Sequence, residues 1–302
     1  MINTLIVGLG NIGFKFDKDD IAKKITHASS VYHHKKFKLI GGVDRKENIL
    51  LQFKKIYKVP YFKNLKTSLK HVKPQLIIFT NQPSFVDLLY VSKFESVKFI
   101  LIEKPYEKNE NKIKKILVNL KKNKVTLSLN FQRNFSKNYN KLIKEIKKGI
   151  IGNKFKTFCF HNKSFNTNGS HFLNIINLYS KNLKKIKKNT DTVHLNYKNG
   201  DAYFFRINDD SYNNNCMTIY GNKGKIEISS RAENCKIYTK IKDKFYKNYF
   251  ILKKIKSFNL HEAEPQKPVL DNIYNVISNN KKVLFKENEM LNYLSIINKI
   301  NN

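Results

Sequence analysis

The sequence predicts an α/β fold, in which a doubly wound parallel sheet is followed by an α+β domain with a large, mostly antiparallel sheet. Short apolar runs alternate with segments of helical period in the first half. In the second half, strand patterns follow one another with turn signals between them. The 302 residues, of which 41% are hydrophobic and 13% aromatic, supply enough apolar side chains for two cores and exclude a disordered chain.

The first half contains the elements of βαβ units. Buried apolar runs predict strands at 3–7, 37–43, 75–80, 97–103 and 125–131. Apolar residues at helical spacing predict helices at 47–56, 65–72, 85–92 and 111–120. Strands without a polar face must be covered on both sides, so this alternation indicates a parallel sheet with helices on its faces.

The second half lacks helices between most of its strands. Strands are predicted at 155–160, 193–197, 202–207, 217–220, 225–228 and 236–241. Helices are predicted at 170–179, 269–278 and 288–299. Successive strands joined by turns indicate an antiparallel sheet. We expect a first domain at 1–124 and a second at 125–302, with the last helices packing back on the first domain.

The charge of the chain is large but carries little information about a partner. There are 58 basic and 23 acidic residues, a net charge of +35. Only four of the 58 are arginine, and the 54 lysines are scattered, as in the product of an AT-rich coding sequence. No nucleic-acid motif accompanies them, so we expect no nucleic-acid partner.

The chain is also expected to act without a membrane. No stretch approaches the roughly 18–20 apolar residues of a membrane span, and the first residues lack the pattern of a signal peptide. Its three isolated cysteines form no CxxC pair. These features predict a cytoplasmic protein with free thiols.

A glycine-rich motif follows the first strand. Gly8, Gly10 and Gly13 form G-x-G-x-x-G in a chain with only 11 glycines. Gly8 permits a sharp turn, Gly10 lets a pyrophosphate approach the backbone, and Gly13 lets the following helix pack closely. Free N–H groups around Asn11 and Ile12 would face the anion. The motif predicts a Rossmann-type dinucleotide site; the alternative is a purely structural turn.

Asp44 ends the second predicted strand. A carboxylate there can accept hydrogen bonds from the ribose hydroxyls of NAD, which we expect as the cofactor. Asp44 lies 31 residues after Gly13, and the polar segment 16–20 suggests an insertion that lengthens this spacing. NADP is the alternative, with Arg45 receiving the 2′-phosphate. Asp44 could instead cap the helix that begins near Glu47.

These residues belong to a series of motifs that resembles the Gfo/Idh/MocA oxidoreductases over nearly the whole chain. Family-like motifs occur in this order: Gly8–Gly13 with Asp44, Thr80-Asn81, Glu103-Lys104-Pro105, Asn130–Arg133, Gly149–Gly152, Asn168–His171 and 217–228. The resemblance implies a nicotinamide-dependent dehydrogenase or reductase that acts on a CH–OH group of a sugar or sugar nucleotide. A role in surface-polysaccharide synthesis is a weaker implication of the Asn-Gly-Ser-His helix start.

The resemblance also implies two catalytic residues, Lys104 and His171. Lys104 follows an apolar strand at the carboxyl edge of the sheet, where such sheets bind ligands, although a solvated lysine is the alternative. A histidine at a helix start can exchange a proton near pH 7. The resemblance places Thr80, Asn81 and Glu103, together with Lys104, beside the cofactor. The remaining histidines match no metal-ligand spacing, so no metal is expected; for His27 a role near the cofactor stays open.

Substrate contacts are implied for Asn130, Arg133, Thr167, Asn168 and His171. Many family members have aspartates four residues before and three residues after the histidine, where this chain has Thr167 and Asn174. This departure keeps a second hypothesis open, an NAD-binding protein with little or no catalysis that serves in sensing or assembly. A sheet face left uncovered suggests a homo-dimer or homo-tetramer, which is also the habit of the family.

Overall fold

The computed structural model describes residues 1–104, 106, 110–208, 211–229 and 231–301. Pro105 of the Glu-Lys-Pro motif lies outside them. The described chain divides into two compact units. The first comprises Met1–Phe135 and Ala263–Ser295, and the second comprises Ser136–Glu262 and the residues from Ile296 onward.

In the first unit the described residues form a six-stranded parallel sheet of order β3-β2-β1-β4-β5-β6. Its strands are β1 (Ile2–Val7), β2 (Phe37–Val43), β3 (Tyr61–Phe62), β4 (Leu76–Phe79), β5 (Phe99–Ile102) and β6 (Thr126–Leu129). Its helices are α1 (His27–His33), α2 (Glu47–Tyr57), α3 (Leu65–His71), α4 (Phe85–Val91), α5 (Glu110–Lys122), α6 (Gln132–Phe135) and α9 (Lys267–Asn279). This strand order is that of a Rossmann fold, whose ligands bind at the carboxyl ends of the strands.

The first unit continues beyond the boundary expected near residue 125. The reason is that β6 pairs with β5, from Phe99↔Thr126 to Ile102↔Leu129. The segment from Ala263 to Ser295 joins this unit through an aromatic cluster, in which the ring of Phe131 lies 5.3 Å from that of Phe285 and 4.7 Å from that of Tyr293.

In the second unit the described residues form an eight-stranded sheet of order β14-β13-β12-β11-β7-β10-β9-β8. Its strands are β7 (Phe155–His161), β8 (Leu183–Lys188), β9 (Thr192–Tyr197), β10 (Gly200–Arg206), β11 (Cys216–Gly221), β12 (Gly224–Ser229), β13 (Asn234–Lys242) and β14 (Phe250–Asn259). Only β7 and β10 pair in parallel, so the predicted fold class is confirmed. The helices α7 (Lys137–Lys147) and α8 (Ser170–Asn177) also belong to this unit, and α10 (Glu287–Asn301) ends in it.

The sequence analysis missed three elements of the second unit. Helix α7 has a strongly amphipathic pattern with Leu142 and Ile146 buried, but its many lysines hide the apolar stripe. Strand β8 is Leu-Lys-Lys-Ile-Lys-Lys and lacks alternation. Strand β14 is exposed almost along its whole length, so burial leaves no pattern in its sequence. Among the described residues, no helix is both long and apolar enough to cross a bilayer.

Candidate active site

The glycine-rich turn follows β1 and requires glycine at two positions for different reasons. Gly8 has φ +94°, a conformation that side chains disfavour, and a Cβ there would lie 2.8 Å from Thr80 Oγ1. A Cβ on Gly13 would lie 2.3 Å from the carbonyl oxygen of Gly8. The turn is therefore folded tightly onto itself and onto the end of β4.

Gly10 differs from these two glycines because its missing side chain leaves open space. Nothing lies within 4 Å of the place where its Cβ would be. Gly10 and Asn11 are exposed, and Ile12 is half-buried. Within the described part of the chain, no group accepts a hydrogen bond from the N–H groups of Gly10, Asn11, Ile12 and Gly13. Four free donors around an open space fit an anion such as a pyrophosphate.

The helix that should follow the turn is interrupted by an insertion, residues 14–26. The N–H of His27 donates to Ile12 O at 3.0 Å and that of Ala28 donates to Gly13 O at 3.1 Å, so α1 resumes where the turn stops. Without these thirteen residues, Asp44 lies eighteen positions after Gly13. That spacing is close to the roughly 20 residues of a dinucleotide-binding unit.

Asp17 holds the insertion together. Its carboxylate is 3% exposed and accepts hydrogen bonds from Ile25 N at 2.7 Å, Thr26 N at 2.9 Å and Thr26 Oγ1 at 2.7 Å, as well as from Ser29 Oγ. A buried charge is stable when donors surround it in this way. Burial, together with the nearby Asp17 charge, raises the pKa of the Tyr57 phenol, which stays neutral.

Asp44 connects β2 to the glycine-rich turn. Its Oδ2 accepts a hydrogen bond from Leu9 N at 2.8 Å, and its Oδ1 accepts one from Lys46 N at 3.0 Å. The N-cap residue of α2 is Lys46, and no side chain caps this helix with a hydrogen bond. The alternative role of Asp44 as the helix cap is therefore wrong. A carboxylate has about four acceptor positions. Two remain on this half-buried side chain for ribose hydroxyls, with Arg45 exposed beside it.

Thr80 and Asn81 support the same turn from β4. The hydroxyl of Thr80 donates to Gly8 O at 2.5 Å. Asn81 is exposed, and its Cβ lies 3.2 Å from the position that a Gly8 Cβ would take. Thr80 therefore supports the backbone of the glycine-rich turn, whereas Asn81 is exposed to solvent at the rim of the open space beside that turn.

A buried polar network joins the ends of β5 and β6. Glu103 is 9% exposed, and its Oε1 lies 2.6 Å from His27 Nε2. The Nδ2 of Asn130 donates to the same Oε1 at 2.5 Å and to Gln266 Oε1 at 3.1 Å. Because His27 begins α1 and Gln266 directly precedes α9, this network joins four segments of the first unit, with Asn130 linking Gln266 to the carboxylate.

This network changes the roles expected from the sequence. Glu103 and Asn130 are held inside the unit by protein partners, whereas Lys104, the next residue after Glu103, is half-buried at the carboxyl edge of the sheet. Arg133 lies in α6 and is half-buried. The sequence contained a weak signal for His27, which follows the insertion, and none for Gln266, whose position depends on the tertiary fold.

The second unit holds His171 as the second residue of α8. The sequence analysis placed this histidine at the start of a helix, and α8 does begin at Ser170, but a further helical turn precedes it. A π-helical turn, Phe165–Gly169, leads directly into α8, and the side chain of Ser164 caps it by accepting from Thr167 N at 3.2 Å. The positive end of the helix dipole therefore lies around Ser164, with Thr167 and Asn168 half-buried in the turn.

The π-helical turn packs against a second histidine of the same unit. A Cβ on Gly169 would lie 2.7 Å from Phe165 Cδ2 and 3.1 Å from His161 Nε2, so only glycine permits this packing. His161 is 2% exposed, and burial lowers the pKa of its imidazole. Asn174, one turn after His171, is 3% exposed, and its Oδ1 has no hydrogen-bond partner in the described chain. No described group of three or more His, Cys, Asp and Glu residues could hold a metal ion.

The strand order, the glycine-rich turn and Asp44 define the first unit as a dinucleotide-binding Rossmann domain. Residues 2–131 match the family model for Gfo/Idh/MocA, described as an oxidoreductase family with an NAD-binding Rossmann fold. This match confirms, over these residues, the resemblance to the Gfo/Idh/MocA oxidoreductases found in the sequence.

Solved structures share the fold over the whole chain. The WlbA dehydrogenase from Bordetella pertussis, in complex with NADH and UDP-GlcNAcA, has a TM-score of 0.75 at 14% identity, covering 99% of this chain and 94% of its own. The UDP-N-acetylglucosamine 3-dehydrogenase GnnA from Acidithiobacillus ferrooxidans has a TM-score of 0.72 at 12% identity, covering 99% and 96%. A dehydrogenase from Chromobacterium violaceum has a TM-score of 0.74 at 12% identity, covering 100% and 94%. No curated protein matches the sequence.

Proposed function

We propose that this protein is a nicotinamide-dependent dehydrogenase or reductase that transfers a hydride to or from a carbinol carbon of a sugar or sugar nucleotide. The observation that carries the proposal is the open space at Gly10, which is surrounded by the four free N–H groups of the glycine-rich turn. The family match over residues 2–131 supports a nicotinamide dinucleotide as its occupant. The UDP-sugars named for two structural neighbours support the substrate class.

NAD is the proposed cofactor, with NADP as the alternative. The carboxylate of Asp44 would accept hydrogen bonds from ribose hydroxyls and repel a 2′-phosphate. Arg45, exposed beside it, is the group that could receive that phosphate. The N–H groups from Gly10 to Gly13 would hold the pyrophosphate, with Asn81 at the rim. When bound, a nicotinamide supplies the acceptor or donor of the hydride.

Lys104 and His171 are proposed to exchange the proton of the substrate hydroxyl. A positioned acid or base must reach that proton, and a half-buried lysine after a buried strand can be held in place by its neighbours. The network around Glu103 fixes the residue before Lys104, so Glu103 and Asn130 act as positioning residues. Arg133, Thr167 and Asn168 are half-buried and are the proposed substrate contacts.

The test is the Lys104→Ala variant, assayed for NADH formation from NAD with a panel of UDP-sugars. Loss of a positioned proton-transfer group costs turnover about 10²–10⁴-fold, while NADH binding should be retained. Lys121→Ala, which removes an exposed lysine at the end of α5, is the matched control and should keep full turnover. Equal turnover of the Lys104→Ala variant and the wild type would refute the assignment.

An NAD-binding protein without catalysis is the second candidate. It is favoured by the environment of His171, where the chain provides Thr167 and Asn174 in place of aspartates and where Asn174 Oδ1 is buried without a partner. This candidate predicts NADH binding with no turnover on any sugar nucleotide in the panel. Turnover that depends on His171 as well as Lys104 would reject it.

A homo-dimer or homo-tetramer is proposed for the assembly, formed through the outer face of the second sheet. Rings form a row across four strands of this face: His194 stacks on Tyr203 at 4.5 Å, Tyr203 on Phe158 at 5.3 Å, and Phe158 contacts Tyr220 at 5.9 Å. Tyr220 is 46% exposed. A cytoplasmic enzyme that makes precursors of surface polysaccharides is the proposed setting.

A further inference from the structure

The end of the β13–β14 hairpin exposes an unusual amount of apolar surface. Phe245 is 90% exposed, Tyr246 and Tyr249 are each 68% exposed, and Phe250 is 50% exposed. We call these four residues the aromatic tip. Behind them Ile251, Leu252 and Ile255 are 47%, 44% and 43% exposed. Contiguous apolar surface of this kind marks an interaction site more often than single exposed residues do.

The hairpin end extends past its neighbouring strand. Pairing between β12 and β13 stops at Gly224↔Thr239, whereas pairing between β13 and β14 continues to Lys242↔Phe250. Leu252 pairs with Lys240 on one face, and Ile251 pairs with Ile241 on the other. Apolar side chains therefore lie on both faces of the end.

The tip is a structured turn rather than a loose loop. Asp243 accepts hydrogen bonds from Phe245 N at 2.7 Å and Tyr246 N at 3.1 Å, and its own N–H donates to Tyr249 O at 2.9 Å. The Nζ of Lys240 lies 4.1 Å from the centre of the Phe250 ring. The turn thus keeps the rings exposed, and the carboxylate of Asp243 is occupied by hydrogen bonds from the backbone of the turn.

The charge of this segment is strongly positive. Residues 240–254 contain one carboxylate, that of Asp243, and six lysines: Lys240, Lys242, Lys244, Lys247, Lys253 and Lys254. A second copy docked through a twofold axis would bring these lysines together, which disfavours the aromatic tip as a contact between copies. The aliphatic residues behind the rings cannot stack on nucleic-acid bases, but they can be buried among acyl chains.

We propose that the aromatic tip docks on the surface of an anionic phospholipid bilayer. Aromatic rings favour the boundary between headgroups and acyl chains, and lysines beside them are attracted to anionic headgroups. The hairpin enters end-on, because its apolar atoms lie on both faces. The enzyme or binding protein proposed above would be held reversibly at a membrane surface without a membrane-spanning segment, contrary to the expectation from the sequence that it acts without a membrane.

Tryptophan fluorescence provides a direct experiment, because the chain contains no tryptophan. Phe245→Trp places a single reporter at the tip, and Tyr212→Trp places a control at another exposed position. With vesicles of phosphatidylcholine and phosphatidylglycerol, emission from position 245 should shift to the blue and be quenched by brominated lipid. Emission from position 212 should not change. An unshifted emission from position 245 would overturn the proposal.

Sedimentation with the same vesicles distinguishes docking through the aromatic tip from a general electrostatic attraction between anionic lipid and a protein of net charge +35. Phe245→Ser with Tyr249→Ser keeps the charge and should weaken partitioning about tenfold, whereas Tyr212→Ser should not. The double variant Lys244→Gln with Lys247→Gln should weaken partitioning about 25-fold. The control pair Lys184→Gln with Lys187→Gln, which removes two exposed lysines elsewhere, should weaken it less. The proposal would be refuted if the double serine variant of the tip bound the vesicles as strongly as the wild type. It would also be refuted if this variant altered only the oligomeric state or the affinity for single-stranded DNA.

Discussion

Two glycines of the same turn should respond in opposite ways to the same substitution. In Gly13→Ala the new methyl group would lie 2.3 Å from Gly8 O and 2.8 Å from Thr80 Oγ1. The turn must shift, which costs about 1–3 kcal/mol in a packed site. In Gly10→Ala the methyl group meets nothing within 4 Å, so stability should change by less than about 0.5 kcal/mol. That methyl group would, however, occupy the space proposed for the pyrophosphate.

Thermal unfolding and NADH titration of both variants measure the two effects. Gly13→Ala should lower Tm by several degrees, at about 2–4 °C for each kcal/mol. Gly10→Ala should keep the Tm of the wild type and bind NADH at least about tenfold more weakly, a loss of about 1.4 kcal/mol. The reasoning is refuted if Gly10→Ala binds NADH as tightly as the wild type, or if Gly13→Ala is fully stable.

Three further predictions concern buried polar groups. His27→Leu leaves the Glu103 carboxylate without its ring partner and should destabilise the first unit by about 3 kcal/mol in thermal unfolding, with partial recovery on adding Glu103→Gln. Asp17→Ala removes the acceptor of four hydrogen bonds and should increase proteolytic cleavage within residues 14–26, whereas an exposed control, Asp19→Ala, should not. The folded pKa of His161 lies below the ordinary 6.5, so the unfolded chain binds that proton more tightly and stability should fall as the pH drops below about 6.5. His161→Phe should flatten this part of the stability profile, and an unchanged profile would contradict the assignment.

Much of the first unit could be predicted because its signals are local. Buried parallel strands are continuous apolar runs, and the three glycines stand out in a chain that otherwise contains few. An insertion was predicted from the polar segment 16–20 and from the long spacing to Asp44, and the structure extends it to residues 14–26. The hydrogen bonds of His27 and Ala28 to the turn then explained that spacing.

The rest could not be predicted because it depends on tertiary contacts. Glu103 meets His27 only because distant segments fold onto the same sheet edge. The contact of Asn130 with Gln266 arises in the same way. The π-helical turn before α8 was not predicted, because its 5-residue hydrogen-bond spacing has no clear sequence signal. Strand β14 escaped detection because neither of its faces is buried.

Transfer of a labelled hydrogen tests most directly the central claim, that this protein moves a hydride between a sugar carbon and a nicotinamide. The wild type and Lys104→Ala would each be incubated with NAD and UDP-sugars deuterated on their ring carbons, and the mass of the NADH formed would be measured. The account predicts NADH carrying one deuterium with at least one UDP-sugar, and almost none with Lys104→Ala. Tight NADH binding without deuterium transfer from any of the UDP-sugars would contradict it.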